Sequence, residues 1–318
     1  MPSRDSTARA AGLALGVLAD ALLGDPRRYH PVAGFGRAAT ALERRWYADD
    51  VGRGVAFGAV AVGVPVLVGA TAERFTAGRP VLRTLGTALA TWSVLGGTSL
   101  AREGTVMAAL LDGGELAGAR ERLSHLCARD AAGMEPPDLA RATVESLAEN
   151  ASDAVVAPLL WGAVAGLPGL LGYRAANTLD AMVGYRSERY LRFGRACARL
   201  DDVLNWVPAR VTGGLVALAA PVVGGSPRAA WRVLRRDAAR HPSPNAGRPE
   251  AAAAGALGVT LGGRNVYGGH REDRPVLGDA RPPAVVDVGR AVRLGRAVTA
   301  AAAALGVLIA LAGRSRRP

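Results

Sequence analysis

The sequence contains no lysine: all 39 of its basic residues, in a chain of 318, are arginine. A Schiff base to pyridoxal phosphate needs a lysine amine, and a Walker A loop needs a lysine to reach the β- and γ-phosphates, so both are excluded. Any phosphate bound here must be held by guanidinium groups, backbone N–H groups, helix N-termini or a metal. Cysteine is almost as scarce. Cys127 and Cys197 stand apart with no CxxC, and His30, His125, His241 and His270 show no HxxxH spacing. Neither a disulfide framework nor a zinc knuckle is therefore expected. Aromatic residues make up 5% of the chain, leaving Ala, Val, Leu and Gly to carry the hydrophobicity.

What is present is apolar and basic, 50% hydrophobic with a formal net charge of +12. Nucleic-acid binders gather such charge on a soluble face, often with aromatics between. Here the arginines flank apolar runs of membrane length, as the positive-inside rule asks. The reading is a polytopic membrane protein with basic cytoplasmic loops and no nucleic-acid partner. Six stretches approach the ~20 residues that cross a bilayer: 8–24, 54–72, 84–100, 154–173, 203–224 and 294–313. The first reads as a retained helix rather than a secretory signal, because Asp20 falls inside the cleavage-like Ala19-x-Ala21 and apolar sequence continues to Leu23. Segment 154–173 carries Pro158, Pro168 and four glycines, and segment 203–224 carries Pro208, Arg210, Gly213, Gly214 and Pro221. Interior Pro removes a helix hydrogen bond and a central Arg is costly in lipid, so both are expected to be either kinked spans or broken, re-entrant segments buried in protein. There is no internal repeat of the solenoid or inverted-transporter kind. The expected fold is all-α: a single membrane-embedded domain over 1–318, with about four to six embedded helical segments and long helical polar loops.

The polar residues cluster. Glu145, Glu149 and Asp153 are spaced i, i+4, i+8, within ~80° on a regular helix. They repel one another; Arg141 can pair with Glu145, but no basic residue within one turn serves Glu149 or Asp153. Either a hard cation such as Mg²⁺ resolves the repulsion or the stripe is a solvated acidic face. Asn150 lies off that stripe. Asn177 and Asp180 are at i, i+3, and Asp201 and Asn205 at i, i+4, each beside an apolar segment. Each motif alone is weak; together they have the look of a Mg–nucleotide site at a membrane edge. Pro249, with Glu250 behind it, reads as the first residue of a helix. Asn245, Gly247 and Arg248 then precede an N-terminus suited to an anion. Arg264, Asn265 and Tyr267 sit between Gly262-Gly263 and Gly268-Gly269, which reads as a flexible turn. Asp25 and His30 follow the first apolar helix, which Pro26 ends.

Four blocks carry a resemblance: DALLGDPRRYHPVAGFGR, ARATVESLAENASDAVVAPLLWGAVAGLPG, YRAANTLDAMVGYRSERYLRFGRACARLDDVLNWVPARVTG and PSPNAGRPEAAAAGALGVTLGGRNVYGG. In order, over roughly residues 12–290, they resemble the CobD/CbiB family of cobalamin biosynthesis, adenosylcobinamide-phosphate synthase. The resemblance implies a multi-pass inner-membrane enzyme with its active site facing the cytoplasm. It would join the carboxylate of adenosylcobyric acid to aminopropanol or its phosphate, using ATP with Mg²⁺ to form an acyl phosphate that the amine attacks. Mapped onto the motifs, that chemistry implies catalytic roles for Glu149, Asp153, Asn177 and Asp180, with Glu149, Asp153 and Asp180 as metal ligands. Asp25, His30, Asn150, Arg186, Asp201, Asn205, Asn245, Arg248 and Asn265 would bind substrate or phosphate. Two other classes stay open: a transporter for a corrinoid or other solute, and a non-enzymatic membrane signalling protein of the AmpE type. Oligomeric state is silent in the sequence.

Overall fold

A computed structural model describes residues 3–25, 30–185, 187–267 and 270–313. In chain order these form α1 (Arg4–Leu23), α2 (Pro31–Trp46), α3 (Val51–Phe75), α4 (Pro80–Val94), α5 (Gly97–Asp112), α6 (Leu116–Leu123), α7 (Pro136–Ala151), α8 (Ala157–Val183), α9 (Arg195–Ala219), α10 (Pro227–Asp237), α11 (Gly247–Leu257), β1 (Leu261–Tyr267), β2 (His270–Leu277) and α12 (Val285–Ala312). Among the described residues, five helical stretches are long and apolar enough to cross a membrane: Arg4–Leu23, Val51–Phe75, Pro136–Val183, Arg195–Val223 and Val285–Ala312. The polytopic helical architecture expected from the apolar runs is therefore present, with a single two-stranded hairpin added to it. Stretch 84–100 is corrected: α4 stops at Val94, and Leu95 and Gly96 separate it from α5. By contact the chain divides into two compact units, Met1–Gly96 with Ala157–Asn205 and Ala302–Pro318, and Gly97–Val156 with Trp206–Ala301.

In the first unit, small residues let helix backbones approach, as membrane helices favour. Gly12 and Gly16 of α1 rest on Thr87 and Thr91 of α4, so these two helices run parallel. α3 lies antiparallel to α8, with Gly69 on Leu167 and Pro168, and Val66 on Gly172. α2 packs at the other end of α3, where Ala39, Phe57, Leu179, Val183, Phe193 and Cys197 form a buried cluster. The expected break in 154–173 is real. Residues 152–156 form a π-helical turn, and Gly166 leaves the helix at φ 63°, ψ −144° just before Pro168. The bend brings Gly169 against the Trp161 carbonyl, eight residues back, which a straight helix would hold about 12 Å away. Glu73 closes over Gly166; it accepts from Arg9 at 2.8 Å, while Arg83 donates to the Glu73 carbonyl at 2.8 Å. Segment 203–224 behaves otherwise: α9 runs through Pro208 without a break and ends in a 3₁₀ turn at 220–223. Thr212, one turn past that proline, hydrogen-bonds the Pro208 carbonyl at 2.8 Å.

In the second unit, α7 packs against α5, α6, α11 and β1, and α10 against α11. The run Ala251–Ala254 is buried throughout. Small side chains there let α11 lie close to its neighbours: Gly255 touches the backbone of Ala229 and Ala230. The supposed flexible turn after α11 is instead strand β1, paired antiparallel to β2 with an irregularity between Leu261 and Gly263. Gly262 and Gly263 take φ values of 83° and 86°, which glycine alone adopts at little cost.

The bend at Gly166 generates a test. Alanine there meets both a left-handed backbone and the Glu73 carboxylate, whereas Gly63 faces open space. Gly166→Ala is expected to destabilise the detergent-solubilised protein by about 1–3 kcal/mol, and Gly63→Ala to leave the midpoint of thermal unfolding unchanged or slightly raised.

Candidate functional site

The second unit holds a buried cluster of charge built on α7. Glu145 is 1% exposed. It pairs with Arg129 and accepts from the Gly262 N–H at 2.5 Å and from Arg141 at 3.4 Å. Arg141 in turn donates to the carbonyl of Gly262 at 2.8 Å, that of Arg264 at 2.9 Å and Asn265 Oδ1 at 3.0 Å. The bulge at Gly262 thus frees a backbone N–H and carbonyl, and two side chains one turn apart on α7 take them up. Asn265, 1% exposed, is held in that lattice with its Nδ2 lacking a partner among the described residues.

One turn along α7, Glu149 faces inward. The charges of Arg274 and Arg129 attract it and Glu145 repels it. The compensation that local spacing could not supply comes from β2 and from the loop before α7. Glu250 of α11 faces the same cluster. It is 2% exposed, and its Oε1 has no hydrogen-bond partner among the described residues. Burial pushes its carboxyl well above the ordinary glutamate range, and the negative charges of Glu145 and Glu149 push it further, against Arg129 and Arg274. His241 completes the group. Its Nε2 lies 3.8 Å from Glu250 Oε1 and 3.1 Å from Arg274, and its Nδ1 accepts from the Ser243 N–H at 3.1 Å. Burial and the Arg274 charge hold the imidazole down to about 4, so it is neutral at neutral pH. A neutral imidazole has one acceptor nitrogen, yet a donor faces each of these two.

Helix α11 begins at Gly247, two residues earlier than Pro249. Gly247 and Arg248 therefore belong to its first turn rather than to the loop before it. Gly247 is required where the chain presses on His241 and the Ala238 carbonyl. Ser243 Oγ accepts from the N–H groups of Asn245 and Ala246, at 3.2 and 3.1 Å, and fixes the approach to the helix. Asn245 is buried just before that helix.

Asp153 stands in the π-helical turn, so the regular i, i+4, i+8 stripe assumed for Glu145, Glu149 and Asp153 stops at Ala151. Asn150 donates to the Ser146 carbonyl at 2.8 Å. Among the described residues no three His, Cys, Asp or Glu side chains gather closely enough to hold a metal by themselves.

The first unit holds a separate polar network. Tyr173 donates to Asn205 Oδ1 at 2.8 Å, Asn205 to Asp201 Oδ2 at 3.0 Å, and Asn177 to Asp201 Oδ1 at 3.3 Å. Arg174 reaches Asn177 at 3.4 Å. Asn177 is thus brought to the Asp201–Asn205 pair that local spacing had joined, and Asp180 follows one turn along α8 against Gly184. Such groups within membrane-spanning helices are functional candidates by default. Asp25 and His30 also meet, at 4.0 Å, with His30 capping α2 through Val32 N–H. Arg186 lies outside the described residues. The sequence reading missed His241, Arg129 and Arg274 as members of the site and treated Glu250 only as a helix-start residue. For Arg129 and Arg274 no local signal exists; for His241 and Glu250 the HPSPNAGRPE run was the available one.

The two titrating groups predict opposite slopes of stability. The native state holds a proton on Glu250 at pH values where the unfolded chain has lost it, so stability falls as pH rises from about 4.5 through the raised native value. The native state excludes a proton from His241, so stability falls as pH drops from 6.5 toward 4. Thermal unfolding between pH 4 and 8 is expected to show Glu250→Gln gaining on the wild type at the alkaline end, and His241→Gln gaining at the acid end.

Comparison with known proteins bears on this arrangement. A family model described as CobD/Cbib protein matches residues 13–295. A protein of Mycobacterium tuberculosis named "Cobalamin biosynthesis protein CobD" is 55% identical over 303 residues, covering 95% of this chain and 96% of the relative. Proteins of the same name from Geobacter metallireducens and Rhodobacter capsulatus are 47% and 42% identical, each over 84% of this chain, covering 86% and 85% of the relatives. No solved structure matches. With a family match that spans most of its length and embraces both polar clusters, this chain belongs to the CobD/CbiB family.

Proposed function

We propose that this protein acts in cobalamin biosynthesis as an ATP-dependent amide ligase, joining the carboxylate of adenosylcobyric acid to aminopropanol or aminopropanol phosphate. The observation that carries the reading is the unpartnered Oε1 of buried Glu250, beside a neutral His241 and within the field of Arg129 and Arg274. A primary amine reaches the enzyme as an ammonium ion and must lose a proton before it attacks. A carboxylate whose proton affinity burial has raised above the ordinary glutamate range is suited to take that proton, and its open oxygen is suited to receive the N–H. His241, held neutral, lets Glu250 change charge without an opposing change beside it. Arg129 and Arg274 supply positive charge where anionic groups would collect. Glu145 is already engaged with two arginines and the Gly262 N–H, so we assign it to positioning.

ATP supplies the activation that a carboxylate needs before an amine can displace its oxygen. The donor set fits a nucleotide in one respect: Glu149 and Asp153 offer carboxylates, and Mg²⁺ commonly binds through one or two carboxylates with phosphate and water completing its shell. Asn177, Asp180, Asp201 and Asn205 form a second polar set suited to substrate or nucleotide, with Asp25 and His30 at the start of α2. The curated relatives carry names in cobalamin biosynthesis, which supports the corrinoid as substrate.

We further propose that the protein resides in the inner membrane with the α2 end of the first unit in the cytoplasm. Segments 24–50 and 184–194, at that end, carry five and three arginines, whereas the 76–79 connector at the opposite end carries one. That asymmetry is the one that orients multi-pass proteins.

Two experiments test this reading. Purified protein with adenosylcobyric acid, Mg–ATP and either amine should yield the amide by mass spectrometry. Glu250→Gln should lower kcat by about 10²–10⁴, and Asp153→Asn should abolish turnover, with membrane insertion unchanged in both. A strain lacking this gene should be rescued by cobinamide and not by cobyric acid. Equal rescue by cobyric acid would remove the ligase assignment and favour a transporter or signalling protein.

A further inference from the structure

The backbone fixes the tautomer of His241. Ser243 N–H donates to its Nδ1 at 3.1 Å. That N–H is held in place: Ser243 lies between Pro242 and Pro244, and its Oγ accepts from the N–H groups of Asn245 and Ala246 at 3.2 and 3.1 Å. Nδ1 is therefore the acceptor of the ring. Burial and the Arg274 charge keep the imidazole neutral at neutral pH, so its single proton stands on Nε2.

Nε2 faces Arg274 Nη1 at 3.1 Å. Arginine offers no acceptor and stays charged, so Nη1 meets a proton rather than a lone pair. Glu250 Oε1 does not relieve the contact, because at 3.8 Å from Nε2 it is beyond hydrogen-bond reach. Arg274 also donates through Nε to Glu272 at 3.1 Å, which holds the guanidinium plane while Nη1 points at the ring. A further donor stands on the same face of the hairpin. Asn265 opposes Glu272 across the strands and Gly263 opposes Arg274, so Asn265 and Arg274 project from one side. Asn265 is buried, and its Nδ2 has no hydrogen-bond partner among the described residues. The Arg274 side chain remains 19% exposed, so this corner of the cluster is reached from solvent.

We propose that His241 Nε2–H and Arg274 Nη1 form a two-donor site for an oxygen of a carboxylate ligand. An oxygen about 2.9 Å from each nitrogen fits a pair 3.1 Å apart, and it turns a contact between donors into two hydrogen bonds, one of them charge-assisted. A carboxylate suits the place better than a phosphate dianion. The charges of Glu145 and Glu272 already bear on His241, and a second negative charge on the ligand would be repelled by both. That the carboxylate belongs to the corrinoid acid rests on the ligase reading; the carboxylate site itself does not.

The test uses the full-length protein in detergent without ATP, so that nothing turns over. Calorimetry measures binding of adenosylcobyric acid, of adenosylcobinamide, which carries an amide in place of that carboxylate, and of inorganic phosphate. Arg274→Gln is expected to weaken the acid at least about tenfold and His241→Ala about three- to tenfold, with the amide changed less than about twofold. His241→Gln restores an N–H at similar reach and should recover part of the loss. A wild-type readout keeps the proposal testable where a variant fails to fold. With isotope-labelled histidine only four imidazoles contribute, and His241 is assigned by substituting His30, His125 and His270 in turn. Nuclear magnetic resonance should show the Nε2–H tautomer in the unliganded protein, with that proton moving downfield on addition of the acid and not of the amide. An Nδ1–H tautomer overturns the proposal, as does wild-type affinity for the acid in Arg274→Gln. Acid and amide weakened equally would make both residues structural and overturn it too. Phosphate binding lost with acid binding unchanged removes the carboxylate assignment. Acid binding that depends on both residues, in a protein that forms no amide, leaves this site standing and removes the ligase reading. Amide formation with an unchanged KM for the acid in Arg274→Gln and His241→Ala does the reverse.

Discussion

Glu145 is the buried ion on which the second unit's polar architecture rests. Its two oxygens receive Arg129, Arg141 and the Gly262 N–H, drawing the loop before α7, the helix itself and the β-hairpin to one point. A carboxylate this deep is tolerable only when fully engaged. Removing one partner of such a pair leaves a charge that costs about 3–5 kcal/mol. The Gly262 bulge is the matching constraint on the other side. Any side chain there would collide with the Pro275 carbonyl, and only glycine accepts the backbone angle that turns its N–H toward α7. With the hairpin fixed in this way, Arg274 on β2 is carried to the charge cluster and to His241.

The second consequence is chemical. Arg129 pairs with Glu145, and Arg274 reaches His241 and Glu272, while Glu250 Oε1 has no hydrogen-bond partner among the described residues. Native proteins rarely leave buried polar atoms in that state without a functional reason. The asymmetry separates a carboxylate held by two arginines and a backbone N–H from one with an open oxygen.

The first unit solves a different problem. Its helices are apolar on their outer faces, with Leu67, Val68 and Leu89 more than half exposed, so lipid supplies no drive for them to associate. Close approach through Gly12, Gly16, Gly69 and Gly172, and polar contacts such as Arg9 with Glu73, take its place. The broken helix at Gly166 is affordable because Glu73, Arg9 and Arg83 gather around the bend. Between α8 and α9, the Tyr173–Asn205–Asp201–Asn177 chain gives that unit a buried polar network of its own.

Much of this was legible in the order of residues alone. Apolar run length marked the spans, because bilayer thickness sets a length that any sequence must meet. Missing lysine removed whole classes of chemistry, and four motifs in order carried the family resemblance. Local spacing also found Arg141 with Glu145, and Asp201 with Asn205, since residues one helical turn apart must be neighbours. It failed where neighbours come from afar. Arg129 and Arg274 compensate Glu149 from elements that periodicity cannot join to it. Pro208 and Pro168 read alike as breaks, but α9 absorbs its proline whereas α8 turns at Gly166 beside its own. Which glutamate is satisfied and which proline bends its helix depend on packing between distant segments, and that is decided only when the chain has folded.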